Sequence, residues 1–195
     1  MTLTNAYCTV TQLKQAIKRP NSDEVVYDSL FEDCINRASR DIDEHTNRIF
    51  YSKTITAELF DAFAWSDSEL YISDNKILFP SEIISVSSIT NDGTALTEGT
   101  DFYVYKKQGY IEAAGSWSSS RKSSANSTGI AITATFGHAT TPTSIEMICV
   151  ELAKVYSGLD TRMITNANGT FEFEMGNKIP DYIKKRLNRY KRYGV

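Results

Sequence analysis

The sequence predicts an α+β fold: a small helical bundle with an antiparallel β module inserted into it. The bundle comprises an N-terminal helix pair, a buried central helix and a C-terminal basic helix. Three observations carry this expectation. Between residues 23 and 46, Tyr27, Leu30, Cys34, Ile35, Ala38 and Ile42 recur at three- and four-residue steps, which places them on one helix face. From about Ile49 the period changes to two and stays there to Gly137, with turn signals between short runs. The run from Ile145 to Leu159 is then apolar around most of a helical circumference, the signature of a helix buried on several sides. The 195 residues are expected to form a single domain, helical over 9–48 and 142–193, with the β module over about 50–137.

Each element has its own cause. Thr9 or Thr11 can cap a short helix through about Lys18, with Val10, Leu13 and Ile17 on one side. "RPNSD" at 19–23 breaks it, and a longer helix follows from about Asp23 to Thr46. "TITAELFDAF" (54–63), "ELYI" (69–72), "KILF" (76–79) and "IISVSSIT" (83–90) read as strands. Asn91-Asp92-Gly93 is a tight-turn signal, followed by "DFYVYKK" (101–107), a turn at Gln108-Gly109, "GYIEAA" (109–114) and "IAITATFG" (130–137). Short turns between successive strands imply antiparallel pairing. Residues 115–129 hold seven serines and one large apolar residue, Trp117, and read as a loop with a single anchor. Pro142 fits a helix entry, and Thr143 with Glu146 has the spacing of a capping box. A long connection over 158–180 is expected to turn back at Asn168-Gly169. "PDYIKKRLNRYKRY" (180–193) closes the chain as a basic helix with Ile183, Leu187 and Tyr190 on one face.

Composition narrows the function. The 41% hydrophobic and 23% charged content is that of an ordinary soluble globular protein, and no apolar run approaches the ~20 residues of a membrane span. "MTLTNAYCTV" lacks the basic region and apolar core of a signal peptide. Cys8, Cys34 and Cys149 are odd in number, widely spaced and without a C-x-x-C pair, which predicts reduced thiols, at least two of them filling cores. The net charge of −3 is unevenly spread: residues 181–195 carry six Lys and Arg against one acid, +5, while residues 1–180 carry 15 against 23, −8. An acidic body is a poor general binder of nucleic acid.

No catalytic, cofactor or metal site is legible. His138, between Gly137 and a Thr-Thr-Pro turn, has no evident acid or nucleophile partner and reads as a turn residue bonded to backbone. His45 reads as a helix C-terminal residue favoured by the dipole. Two histidines and three scattered cysteines lack zinc spacing. The P-loop, G-x-G-x-x-G, G-x-S-x-G and H-E-x-x-H patterns are absent. The basic tail is the distinctive electrostatic feature. Tyr182, Tyr190 and Tyr193 interleave there with Lys184, Lys185, Arg186, Arg189, Lys191 and Arg192, a mixture suited to anchoring at an interface or to phosphate contact. The acidic body favours a protein partner. On the second helix, Glu32, Asp33, Arg37, Arg40, Asp41 and Glu44 mix signs, as a solvated face or a contact with a neighbouring subunit would.

In this order the segments resemble the head–tail connector (adaptor) proteins of long-tailed bacteriophages. "YCTVTQLKQAIK" opens the chain with a short helix as those proteins open. "LFEDCINRASRDIDEHTNRIFY" (30–51) resembles their second helix leading into a strand. "SITNDGTALTEGTDFYVYKKQGYI" (88–111) resembles their β insert, and "ITATFGHATTPTSIEMICVELAKVY" (132–156) their last strand entering the buried helix. The resemblance spans about residues 7–159; the loop at 115–129 and the segment at 160–180 fall outside it.

It implies a structural virion protein of the neck, made in the bacterial host cytoplasm. Such proteins form a ring, commonly of twelve copies, below the portal protein. The ring extends the DNA channel and gives the stopper or tail protein a platform. DNA passes through without specific binding, and neither enzyme activity, cofactor nor membrane is implied. The basic C-terminal residues are then the candidates for portal docking, and the mixed-charge helix face for the subunit contact. Removing residues 181–195 is expected to abolish docking and leave the fold intact. Three other readings stay open: a tail-completion or stopper protein of the same neck, a nucleic-acid-binding module using the basic helix, and a small hydrolase with a concealed site, which His138→Ala would probe.

Overall fold

Thr9 begins the first helix by a reciprocal cap. Its backbone N–H donates to Gln12 Oε1 at 2.8 Å, and Gln12 N–H donates to Thr9 Oγ1 at 3.2 Å. Helix α1 then runs Val10–Ala16 and buries Leu13. The computed structural model describes residues 2–17, 27–60, 70–73, 75–117, 129–158, 164–165, 171–172 and 179–192. Lys18, residues 23–26, the Asn168-Gly169 turn, most of the serine-rich loop and Tyr193 therefore lie outside the described residues.

The chain is α+β and divides into two compact units, described residues of 1–48 with 141–192, and of 49–140. The first unit is helical. Helix α2 (Asp28–Thr46) ends on Asn47 in the left-handed conformation, a common helix stop. Its buried positions are Phe31, Cys34, Ile35, Ala38, Ser39, Ile42 and Thr46. The expected apolar stripe is thus shifted at its start: Tyr27 and Leu30 are 46% and 47% exposed, and Phe31 takes the inward place. Helix α3 (Thr143–Tyr156) packs against α1 and α2. Its buried residues, Ile145, Ile148, Cys149, Leu152 and Ala153, form one stripe, whereas Met147 is 56% exposed. The helix is apolar around its circumference but buried along one side. Pro142, not Thr143, holds the N-cap position, so the expected capping box does not form: Thr143 is already inside the helix. Pro142 O instead accepts from the N–H groups of Ile145 and Glu146 at 2.8 and 3.1 Å.

Between α3 and the last helix, a two-stranded pair matches the expected return of the chain, β9 (Ile164–Thr165) against β10 (Phe171–Glu172). Helix α4 is shorter than expected, Asp181–Leu187. Beyond Leu187 the bonds tighten to i→i−3, with Tyr190 N–H on Leu187 O at 2.8 Å. Arg192 N–H then leaves the helical path for Thr46 O, at 2.9 Å. That carbonyl belongs to the last turn of α2, where carbonyls have no partner within their own helix. Ile183 and Leu187 are fully buried. Deleting 181–195 would therefore remove core side chains together with charge, and it cannot leave the fold intact as the sequence led us to expect.

The second unit contains two antiparallel four-stranded sheets. One has the order β1-β8-β4-β5, from Lys53–Phe60, Ile130–Phe136, Ile83–Asn91 and Thr94–Ala95. The other has the order β2-β3-β7-β6, from Tyr71–Ser73, Lys76–Leu78, Tyr110–Ala113 and Phe102–Tyr105. Short turns link β4 to β5 and β6 to β7. The last strand, β8, is central to its sheet, between β1 and β4. Every second residue of β8, Ile130, Ile132, Ala134 and Phe136, is buried, and these side chains share one core with Ile77, Phe79, Ile111, Ala113 and Phe102. Both neighbours of β8 bulge: β1 between Ile55 and Glu58, and β4 at two places. At the β1 bulge Ala57 has φ +48°, and its N–H donates to Thr133 Oγ1 at 3.0 Å in place of the ladder. The turn at Asp92-Gly93 has positive φ at both residues, +50° and +79°, as a hairpin following the strand twist requires. Trp117 is buried in the core, the one anchor expected at the edge of the serine-rich loop.

Candidate assembly surfaces

The α2 polar face serves two neighbours within its own unit. Along one ridge, Asn36, Ser39, Arg40 and Asp43 stand at i, i+3, i+4 and i+7, and each bonds the N-terminal arm, residues 2–8. Asn36 Oδ1 accepts from Thr4 N–H at 3.0 Å, and Ser39 Oγ from Tyr7 N–H at 3.1 Å. Arg40 Nη2 donates to Asn5 O at 2.8 Å, and Asp43 accepts from the Tyr7 hydroxyl. A second ridge faces α3. Asp41 accepts from the Tyr156 hydroxyl, and the Arg37 guanidinium lies 4.5 Å from the centre of the same ring. Burial first, and the Asp41 carboxylate second, push the Tyr156 phenol well above its ordinary value.

Of the six residues expected at a subunit contact, Arg37, Arg40 and Asp41 thus hold their own chain together. The outward positions are Asp33, Arg37, Arg40 and Glu44, all exposed, with Glu32 half-buried. They follow one another at i, i+4, i+7 and i+11, so they form a single ridge with acids at both ends and arginines between.

The basic tail divides in the same way. Arg186 Nη1 pairs with Glu151 Oε2 of α3 at 2.5 Å, and Lys184 with Asp181 at 3.4 Å. Asn188 Oδ1 meets His45 Nε2 at 3.0 Å, giving His45 a definite partner beyond the helix dipole. Lys185 and Arg189 are exposed, Tyr190, Lys191 and Arg192 are half-buried, and Tyr182 is exposed. The basic side chains of the tail that stand exposed are therefore Lys185 and Arg189. Other exposed large apolar residues are Tyr27, Leu30 and Met147 on the helical unit, and Tyr103 and Tyr105 on β6. Tyr105 stacks on Tyr110 with ring centres 4.4 Å apart, and Lys76 Nζ lies 4.9 Å from the Tyr110 ring. The sequence reading missed this aromatic patch on the edge strand. The alternation in "DFYVY" was its signal: Phe102 faces inward, so Tyr103 and Tyr105 lie outside the core.

His138 has a carboxylate partner that the sequence did not single out. Nε2 lies 3.3 Å from Glu82 Oε2, and the ring stacks on Phe50 at 5.5 Å. Ser81 is next in line, but its hydroxyl is directed at Glu82 Oε2 and Ile49 O, both at 2.9 Å. In a hydroxyl–imidazole–carboxylate relay the imidazole must lie between the other two groups. Here the carboxylate is in the middle and the hydroxyl is fully buried. The cluster ties the exit of β8 to the entry of β4. Gly137 N–H strengthens that tie by donating to Glu82 O at 2.8 Å. Among the described residues no group of three or more His, Cys, Asp or Glu is placed to hold a metal ion. No helix among them is long and apolar enough to cross a membrane.

Two solved structures share this fold over the whole chain. One is from the neck of an empty gene transfer agent (GTA) particle computed with C6 symmetry. It has a TM-score of 0.57 at 14% identity, over 100% of this chain and 94% of that chain. The other is from the virion of a native GTA particle, with a TM-score of 0.55 at 14% identity and the same coverage. No protein-family model matches the chain, and no curated protein matches it. At this identity the likeness is one of fold.

Proposed function

We propose that the chain is a structural protein of the neck of a tailed, phage-like particle. More specifically, it acts as a head–tail connector: a ring of copies below the portal that extends the DNA channel and offers a platform to the stopper or tail. The observation that carries this reading is the extent of the fold likeness, which takes in all of this chain and nearly all of a chain from a particle neck. One of those two chains comes from a particle neck and the other from a virion, and the six-fold symmetry applied to the neck accommodates rings of six or twelve.

The surfaces fit a protein that works through its contacts. Tyr27, Leu30, Met147 and Tyr182 are exposed on a unit whose core is already filled by other residues. The ridge Asp33–Arg37–Arg40–Glu44 leaves its two end carboxylates, Asp33 and Glu44, exposed to a neighbour, with the arginines between them already engaged within the chain. Lys185 and Arg189 offer positive charge to an acidic surface, as portal docking would need.

The test is localisation within particles. Labelled chain should appear by electron microscopy at the junction of head and tail, bound to portal-bearing heads before stopper or tail is added. Absence of label from the neck would sink the proposal, and binding only after the stopper is in place would favour the tail-completion reading. Retention of duplex DNA at physiological salt, with the steep salt dependence of phosphate contacts, would favour the nucleic-acid reading.

A further inference from the structure

Cys8 and Cys149 are 141 positions apart in sequence, yet their sulfurs stand 3.2 Å apart within the helical core. Cys8 is 4% exposed and Cys149 fully buried. A disulfide bond is about 2.05 Å long, so the two sulfurs need to close by roughly 1 Å. What holds them together is specific. Cys8 is carried by the N-terminal arm, whose Tyr7 N–H donates to Ser39 Oγ at 3.1 Å. The same Ser39 oxygen is anchored on Ile35 O at 2.8 Å and stands 3.5 Å from Cys149 Sγ. One buried serine of α2 therefore fixes the arm beside the α3 sulfur. Four bonds from the α2 ridge to residues 4–7 keep the arm in register with it.

We propose that Cys8 and Cys149 are a latent disulfide that, once closed, ties the N-terminal arm covalently to α3. The reaction is thiol–disulfide exchange with a small-molecule disulfide such as oxidised glutathione. When the arm lifts, the Cys8 thiolate attacks one sulfur of the small disulfide and releases the first small thiolate. The arm returns, and the Cys149 thiolate attacks the Cys8 sulfur of the mixed disulfide. That step forms the Cys8–Cys149 bond and releases the second small thiolate. The protons given up by Cys8 and Cys149 end on the two released thiols; the protein pair is oxidised and the small disulfide reduced.

The division of roles follows from position. Cys8 sits on the segment able to open, while Cys149 is fixed in a helix. The thiol of Cys149 is lowered from its ordinary value, chiefly by the S–H it accepts from Cys8, with help from Ser39. The same shared S–H, with burial, holds the Cys8 thiol up, so Cys8 becomes a nucleophile only when the arm lifts and that contact breaks, and the closed pair favours Cys149 for the resolving step. Cys34, also buried, has its thiol raised by burial and is not brought to either sulfur by any contact described above.

The experiment uses the full chain, incubated with oxidised or reduced glutathione, then denatured and titrated for thiols. Oxidised material should lose two of its three thiols, its intact mass should fall by two hydrogens, and peptide mapping should join Cys8 to Cys149. Amide exchange at Tyr7 and Cys8 should slow by about tenfold or more, because the arm no longer opens freely. Cys34→Ala should still lose two thiols, whereas Cys149→Ala should stop at a glutathione adduct on Cys8. Retention of all three thiols, or a bond that includes Cys34, would overturn the proposal. The wild-type map decides the matter even if Cys149→Ala fails to fold.

Discussion

Gly137 is a single residue that decides whether a strand can hand over to a helix. Its φ of +99° lies in the region where side chains are strained, and a Cβ there would meet Tyr51 O at 1.9 Å. The carbonyl is backbone and cannot swing aside as a flexible side chain would. Two costs add in Gly137→Ala, the left-handed strain of about 1–3 kcal/mol and the displacement of the strand entry at Tyr51. We expect a loss of more than about 2 kcal/mol, read as a lower midpoint in urea. Ala57 shows why location matters, since it also has positive φ, +48°, yet it is exposed at a bulge where the extra methyl meets water. A variant as stable as the parent would mean that the close approach of residues 51 and 137 is not a fixed feature of the fold.

At the scale of elements, α2 organises its unit by giving different ridges to different neighbours. Tyr156 shows the consequence for pH. Its phenol, buried and bonded to Asp41, loses its proton at higher pH than the ordinary value of 10.0. The folded chain therefore keeps a proton that the unfolded chain gives up, and the stabilisation is complete below about pH 10 and declines as pH rises further. Tyr156→Phe should cost about 1 kcal/mol at neutral pH by leaving Asp41 short of a donor. It should also flatten the alkaline fall in stability. An unchanged alkaline limb in the variant would show that Tyr156 is not the group responsible. Sequence periodicity made α2, α3 and the strands legible, because burial leaves a period of its own. It could not tell which polar residues of α2 meet water and which hold the chain, since Asn36 and Arg40 look alike in sequence whether their partner is a backbone carbonyl or solvent. Leu30 and Phe31 both stand at helical steps from Cys34, so periodicity fits either, and only packing decides that Phe31 goes inward. The position of β8 between β1 and β4 depends on pairing distant in sequence, which no local pattern encodes.

For the whole molecule the governing feature is the separation of charge, −8 over residues 1–180 and +5 over residues 181–195. The fold consumes part of that positive charge: Arg186 and Lys184 pair within the helical unit, and Ile183 and Leu187 fix the helix that bears them. Of the other four, Lys191 and Arg192 are half-buried and Lys185 and Arg189 are exposed to a partner, on a segment locked to the end of α2. Reversing both with Lys185→Glu and Arg189→Glu alters the local charge by four units without touching a buried side chain. Thermal stability should then stay within a fraction of a kcal/mol of the parent, as exposed substitutions do. Capture by portal-bearing heads should drop by at least about tenfold, mostly through slower association, and the salt dependence of the parent's binding should largely vanish. A structural role for the tail alone predicts the opposite pair of results, lost stability with unimpaired capture per folded molecule. Measuring both quantities on one variant separates a docking helix from a mere closing helix, which truncation of the segment, by emptying the core, cannot do.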